Sequence, residues 1–168
     1  MTKVHLNKSR GFTLFETVIY VALFGILLGG AVLSSFEIIS SIGRSKKEAL
    51  LEVEGNFLLS KVAWALSGSV WVTAPVYNST TTMLGINVIY PISDTYLISA
   101  GSNSLLFSKT GVASESLVGN DVIVKNVTFF HSGTSTVEYV AVNFTLETHA
   151  DSGEILSANF SQIDYLNN

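Results

Sequence analysis

One carboxylate stands in a segment where charge is least expected. Glu16 lies five residues after Gly11, and it opens an apolar run in which no charge occurs from Thr17 to Phe36. An ionised carboxylate in hydrocarbon costs roughly 2.5–3.5 kcal/mol on insertion scales. Two interpretations explain its presence: Glu16 reaches the lipid headgroups, or it pairs with a positive group supplied by a neighbouring chain. The charge pattern alone does not choose between them.

Side chains that could carry catalysis or bind a metal are few. The chain has no Cys, which excludes thiolate ligands and cysteine nucleophiles. His149, Asp151 and Glu154 are the one cluster in the outer region, and its oxygen ligands are of the type that Ca²⁺ prefers. A hairpin turn with solvated acids is the simpler interpretation, so Asp151 and Glu154 are only weak metal candidates. Without a G-x-S-x-G motif or a phosphate-binding glycine loop, the sequence predicts neither an enzyme nor a cofactor.

The charge distribution predicts a single membrane span. Lys3, Lys8 and Arg10 make the first ten residues basic, whereas acids exceed bases in the remainder. Twenty helical residues at about 1.5 Å each span roughly 30 Å, the thickness of a bilayer's hydrocarbon core. The basic tip should stay in the cytoplasm, which places the rest of the chain outside. A cleaved secretory signal is the alternative, and it predicts a shorter apolar region followed by a small-residue cleavage site.

The overall charge bears on partners. The formal net charge is −4 at pH 7. Nucleic-acid binding that works by charge requires basic surfaces. No nucleic-acid partner is therefore expected.

The segment KSRGFTLFETVIYVALFGIL resembles the N-terminus of type IV pilins and of the pseudopilins of type II secretion and related DNA-uptake systems. Those proteins share a short basic leader that ends in Gly, followed by Phe-Thr-Leu-x-Glu at the start of a hydrophobic helix. Here the leader ends in Arg10-Gly11, and the motif runs from Phe12 to Glu16. The close match covers about residues 8–36.

This resemblance implies a defined maturation. A membrane aspartyl prepilin peptidase would cleave after Gly11 and methylate the new amino group of Phe12. Glycine suits the position before the cut because a backbone without Cβ can extend into a protease cleft. Glu16 would then face the N-terminal ammonium of an adjacent subunit in the filament. Opposite charges attract strongly in a low dielectric, and pairing relieves the desolvation of each.

The resemblance also implies partners and a location. The partners would be the prepilin peptidase, other pilin or pseudopilin subunits, the inner-membrane assembly platform and the lipid bilayer. The protein would begin in the inner (cytoplasmic) membrane with its N-terminus in the cytoplasm, and end in an extracytoplasmic filament or pilus on the cell surface. The alternative function is a single-pass, membrane-anchored extracytoplasmic binding module that does not polymerise.

Two details favour a minor pilin or a pseudopilin. Many major pilins have a helix-breaking proline in the hydrophobic helix, whereas both prolines of this chain, Pro75 and Pro91, come later. The FTLET and DSGE segments loosely resemble the C-terminal part of J-type minor pseudopilins.

Gly25, Gly29 and Gly30 within the helix suit either close helix–helix packing or a segment that stretches on assembly.

The predicted fold class is α+β and pilin-like, with a long N-terminal helix packed on a C-terminal antiparallel β-sheet. The predicted organisation is a basic leader (1–11), a membrane and assembly helix (12–36), an amphipathic continuation (37–67) and a β-rich domain (68–168). In the continuation, a polar stripe of Glu52, Asn56 and Ser60 borders a wide apolar arc. One flank of the arc holds Leu50, Val53, Phe57 and Trp64, and the other Leu51, Leu58, Val62 and Ala65. Arg44, Lys46 and Lys47 are positioned to touch lipid headgroups.

Alternation predicts the strands. TYLIS and SLLFS form a hairpin around AGSN, DVIVKNVTFF forms another strand, and EYVAVNFTLET and EILSANFSQIDYL flank a turn at HADSGE. Val140, Val142, Phe144 and Leu146 should face the core with Leu156, Ala158 and Phe160. Residues 72–94 look irregular, with a single strand at Asn87–Tyr90.

Overall fold

The computed structural model describes residues 13–89, 93–134 and 137–166. One helix, α1 (Leu14–Ser67), precedes nine strands. Thr13 lies just before the helix, and its Oγ1 accepts a hydrogen bond from the Glu16 backbone N–H at 3.3 Å. This contact is typical of a helix N-cap. The strands are β1 (Trp71–Ala74), β2 (Ser79–Thr81), β3 (Met83–Val88), β4 (Asp94–Ala100), β5 (Leu105–Lys109), β6 (Glu115–Ser116), β7 (Ile123–Gly133), β8 (Glu138–His149) and β9 (Ile155–Leu166).

The chain divides into two compact units, Met1–Ile42 and Gly43–Asn168. The described part of the first unit is Thr13 and the helical residues 14–42, whose apolar side chains are exposed. The second unit contains the rest of α1 together with all the strands. A helix packed on antiparallel sheets confirms the predicted α+β fold class.

The strands form two sheets, where a single sheet was expected. One sheet has the order β1-β3-β4-β5-β6 and the other β2-β7-β8-β9, with every neighbouring pair antiparallel. The second sheet contains the three longest strands. Its order leaves β9 at one edge and the short β2 at the other.

The prediction of an irregular segment at residues 72–94 was wrong. It contains most of β1, all of β2 and β3, and the start of β4. The strand expected at Asn87–Tyr90 begins earlier, at Met83, and ends at Val88, while Tyr90 lies outside the described residues. Two features concealed the pattern. A register shift between Val72 and Ala74 breaks the alternation of β1, and Gly85 interrupts β3.

Gly85 has a packing reason to be glycine. A Cβ added there would lie 2.5 Å from Thr73 Oγ1 on the neighbouring strand. Such a contact is too close for two non-bonded atoms, so the Thr73 hydroxyl occupies the space that a side chain at residue 85 would need.

The core of the second unit forms between one face of α1 and the inner faces of the sheets. The flank of Leu51, Leu58, Val62 and Ala65 is buried as predicted, and the polar stripe of Glu52, Asn56 and Ser60 is exposed. The predicted inner face of β8 is buried too, and Leu156, Ala158 and Phe160 of β9 pack against it. Phe160 stacks on Phe144 with ring centroids 5.4 Å apart.

At Gly55, α1 lies directly against a side chain of β9. A Cβ on this buried glycine would collide with the ring of Phe160. Glycine therefore lets the aromatic ring lie directly against the helix backbone, although it costs about 1 kcal/mol of helix propensity relative to Ala.

Candidate membrane-anchoring and assembly site

The start of α1 positions the carboxylate of Glu16. The Thr17 hydroxyl donates to the Thr13 carbonyl at 3.1 Å, and the Tyr20 hydroxyl donates to Glu16 Oε1 at 3.4 Å, one turn further along. An acid in the first turn is also stabilised by the positive end of the helix dipole. Glu16 is half-buried against its own helix, whereas its neighbours are exposed. Gly11 and Phe12, the predicted cleavage and methylation residues, lie outside the described residues.

The helix that follows Glu16 presents apolar side chains on every side. Every residue from Thr17 to Ile42 is exposed within this chain. Monomeric soluble proteins rarely expose contiguous apolar patches larger than a few hundred Å². In the described part of the chain, α1 is one helix whose length and composition are sufficient to cross a membrane. This surface therefore requires lipid or other protein chains around it.

The glycines of this segment leave room along the helix. α1 continues without a break through Gly25, Gly29 and Gly30, and a Cβ at any of them would meet nothing within 4 Å. Their small size is not needed for a contact within the chain. Close packing against a second helix remains a prediction.

The second flank of the predicted apolar arc is largely exposed. Val53, Phe57 and Trp64 retain 68%, 45% and 51% of their accessible surface. Trp64 stacks on Tyr96 of β4 with ring centroids 5.8 Å apart, and the Lys61 ammonium lies 4.8 Å from the centre of the Trp64 ring. The outer part of α1 thus uses one flank for its own core and keeps an apolar flank on the surface.

Arg44 interacts with acids of its own unit. Its Nε lies 2.9 Å from Glu48 Oε1, and its Nη1 lies 3.6 Å from Glu154 Oε2. The hydrogen bond to Glu48, followed by the negative charges of Glu154 and Glu48, raises the pKa of Arg44 above its usual value. The sequence placed Arg44 among residues facing headgroups and did not reveal that it links α1 to the β8–β9 turn.

The weak metal candidates belong to that turn. The Ala150 N–H donates to the Glu154 carbonyl at 2.8 Å, and Gly153 adopts a φ of 84°. The Glu154 carboxylate faces Arg44, and Asp151 is exposed. Among the described residues, no group of three or more His, Asp or Glu side chains is arranged to hold a metal ion.

His131 is a buried polar residue that the sequence did not single out. It retains 6% of its accessible surface, with Nδ1 at 3.2 Å from the Pro75 carbonyl and Nε2 at 3.4 Å from Glu138 Oε2. The Asn78 N–H donates to the His131 carbonyl at 2.8 Å, so this residue holds the segment before β2 against β7. Alternation could have revealed it, since His131 follows the inward residues Val127 and Phe129 at spacing two.

The N-terminal sequence matches a known family model. The prokaryotic N-terminal methylation motif covers residues 6–32, which include Gly11, Phe12 and Glu16. The chain carries the prepilin-type methylation motif of type IV pilins and pseudopilins. This motif and the apolar helix support anchoring of the chain in a membrane. No curated protein and no solved structure is significantly similar to the chain.

Proposed function

We propose that this prepilin is a structural subunit, a minor pilin or pseudopilin, of a type IV pilus-like or type II secretion filament. The observation that carries the proposal is the exposed, charge-free apolar surface from Thr17 to Phe36, with one carboxylate, Glu16, at its beginning. Lipid can cover this surface before assembly, and helices of other subunits can cover it afterwards. A membrane anchor alone would need the apolar span but would have no use for Glu16.

Maturation would begin at residues 1–11, the basic leader. A prepilin peptidase would hydrolyse the peptide bond between Gly11 and Phe12, and the freed amino group of Phe12 would then be methylated. The membrane and assembly segment would be residues 12–36, followed by the outer helix to residue 67 and the β-rich domain from residue 68. In this proposal the N-terminus starts on the cytoplasmic side of the inner membrane, and the β-rich domain becomes part of an extracytoplasmic filament.

Glu16 would select the register of assembly. Its carboxylate, half-buried beside the Tyr20 hydroxyl, would meet the N-terminal ammonium of Phe12 in an adjacent subunit. Removing one partner of a buried ion pair typically costs 3–5 kcal/mol, because the remaining charge stays in a low dielectric. Incorporation should therefore depend on this carboxylate more than on the apolar residues around it.

A charge-matched pair of variants tests the proposal in the native host. Glu16→Ala should still be cleaved, but we expect at least about tenfold less of it in the sheared filament fraction. The control is Glu37→Ala, which removes an exposed acid from the same helix and should be incorporated normally. Incorporation of Glu16→Ala at the level of Glu37→Ala would contradict the pairing. Normal localisation of both proteins with no filament at all would favour the anchored binding module.

A further inference from the structure

The open edge of the second sheet carries an unusual carboxylate. β9 is the last strand in the order β2-β7-β8-β9, and no described strand pairs with its outer side. Its twelve residues contain no Pro, Lys or Arg, the residue types that commonly protect sheet edges from pairing. The one charged side chain on β9 is Asp164.

Asp164 lies on the inner face of β9 with one oxygen unpartnered. It pairs in register with the fully buried Val140. Its Oδ1 accepts a hydrogen bond from the Gln162 amide at 2.6 Å, whereas its Oδ2 is buried and has no hydrogen-bond partner. Buried carboxylate oxygens are nearly always paired, because an unsatisfied buried acceptor loses its hydrogen bonds to water without replacement. No described side chain supplies a hydrogen-bond donor to this oxygen.

A second acid strengthens the negative charge of this end of the sheet. Glu138 pairs with Leu166, which places it diagonally from Asp164 on the same face of β8. Its carboxylate already interacts with His131 Nε2 at 3.4 Å. Glu138 thus faces a histidine, whereas no described Lys, Arg or His side chain forms an ion pair with Asp164.

The outer face of the same end is uncharged and largely apolar, with Ser132 and Thr134 as its polar residues. Ile163 and Tyr165 retain 54% and 66% of their accessible surface. They border a shallow groove of about 410 Å³ that also includes Val137 and Tyr139, with the Tyr139 and Tyr165 ring centroids 6.2 Å apart. At this end of β9, Ile163 and Tyr165 therefore place apolar side chains on the outer face, and Asp164 between them places an acid on the inner face.

We propose that the β9 edge from Gln162 to Leu166 binds an extended peptide segment of a partner protein, in which a Lys or Arg is flanked by apolar residues. The added strand would pair with the free backbone groups of β9. Because side chains alternate across a strand, the cation would lie on the inner face beside the partly exposed Asp164 carboxylate, and its two neighbours would lie outside beside Ile163 and Tyr165. This contact is independent of the filament proposal, since it involves neither Glu16 nor the apolar part of α1.

A palindromic heptapeptide, acetyl-Val-Thr-Val-Lys-Val-Thr-Val-amide, is a suitable probe because it presents the same pattern in either strand direction. Titrated into the full chain in detergent, it should bind saturably and shift the amide NMR signals of Gln162–Leu166. The same peptide with Gln in place of Lys should bind at least about tenfold more weakly, since a hydrogen bond to a charged group contributes about 1.5–3 kcal/mol.

Variants of the chain complete the test. Asp164→Asn should lose the preference for the lysine peptide, whereas Asp151→Asn, an equal charge change in the exposed β8–β9 turn, should keep it. Equal affinity of the wild type for the two peptides, or no saturable binding at millimolar peptide, would overturn the proposal. Self-association of Asp164→Asn without any lysine preference in the wild type would also overturn it, and would assign Asp164 to preventing edge-to-edge pairing.

Discussion

The two compact units place their apolar side chains in opposite environments. In Gly43–Asn168, one flank of α1 and the inner faces of two sheets bury residues such as Leu58, Val62 and Phe129 completely. In Met1–Ile42, the described apolar residues are all exposed. Burial of apolar surface contributes about 25 cal/mol per Å². The second unit thus gains this free energy from contacts within the chain, whereas the first unit can gain it only from contacts with lipid or other subunits.

Helix α1 contains both exposed and buried apolar side chains. Leu27 and Leu58 are both α1 leucines, yet Leu27 retains 71% of its accessible surface and Leu58 none. Whether a leucine of α1 contributes to folding therefore depends on the unit to which it belongs. Side chains of the first unit should matter for insertion and assembly, whereas those of the second should matter for stability.

Truncating a leucine in each unit is expected to give the largest contrast. Leu58→Ala should destabilise the second unit by about 2–5 kcal/mol, because it removes buried methyl groups and leaves a cavity. Leu27→Ala should change the unfolding of that unit by less than about 0.5 kcal/mol. Chemical denaturation in detergent, followed by Trp fluorescence, measures both values. Comparable losses of stability in the two variants would contradict the division.

Adding a methyl group to a glycine of each unit should give a smaller contrast. Gly55→Ala places a Cβ against the ring of Phe160. The resulting strain should lower the free energy of unfolding by about 1–3 kcal/mol, and the higher helix propensity of Ala should offset part of this loss. Gly29→Ala meets open space and should leave the second unit unchanged. A Gly55→Ala protein with wild-type stability would show that Phe160 moves aside without cost, and thermal unfolding monitored by near-UV circular dichroism would detect this.

The sequence was sufficient for the parts of the fold that follow a regular period. The buried flank of the outer helix, the inner face of β8 and the turn before β9 were all predicted, since each follows a helical or alternating pattern without interruption. Strands β1 and β2 were missed and only the end of β3 was predicted, because a register shift interrupts the alternation of β1 and Gly85 interrupts that of β3. Their assignment depends on pairing between segments, which local periodicity does not contain.

Some residues of the candidate site could be identified from the sequence, and others could not. Glu16 was identified from one sequence because a charge in an apolar run is conspicuous, and the methylation motif that includes it is matched at residues 6–32. The interactions of Arg44 with Glu154, of His131 with Glu138 and of Asp164 with Gln162 could not be predicted. The first two pairs each join residues from different elements of the fold. The third lies within β9, and its importance depends on the position of β9 at the edge of the sheet.

The proposed function requires cleavage after Gly11 before the apolar helix can assemble. Intact mass and N-terminal peptide sequencing of the protein from its native membrane test it most directly. We expect a chain that starts at Phe12 and carries one additional methyl group. A chain that still begins at Met1, or one that starts beyond Ser35, would contradict it.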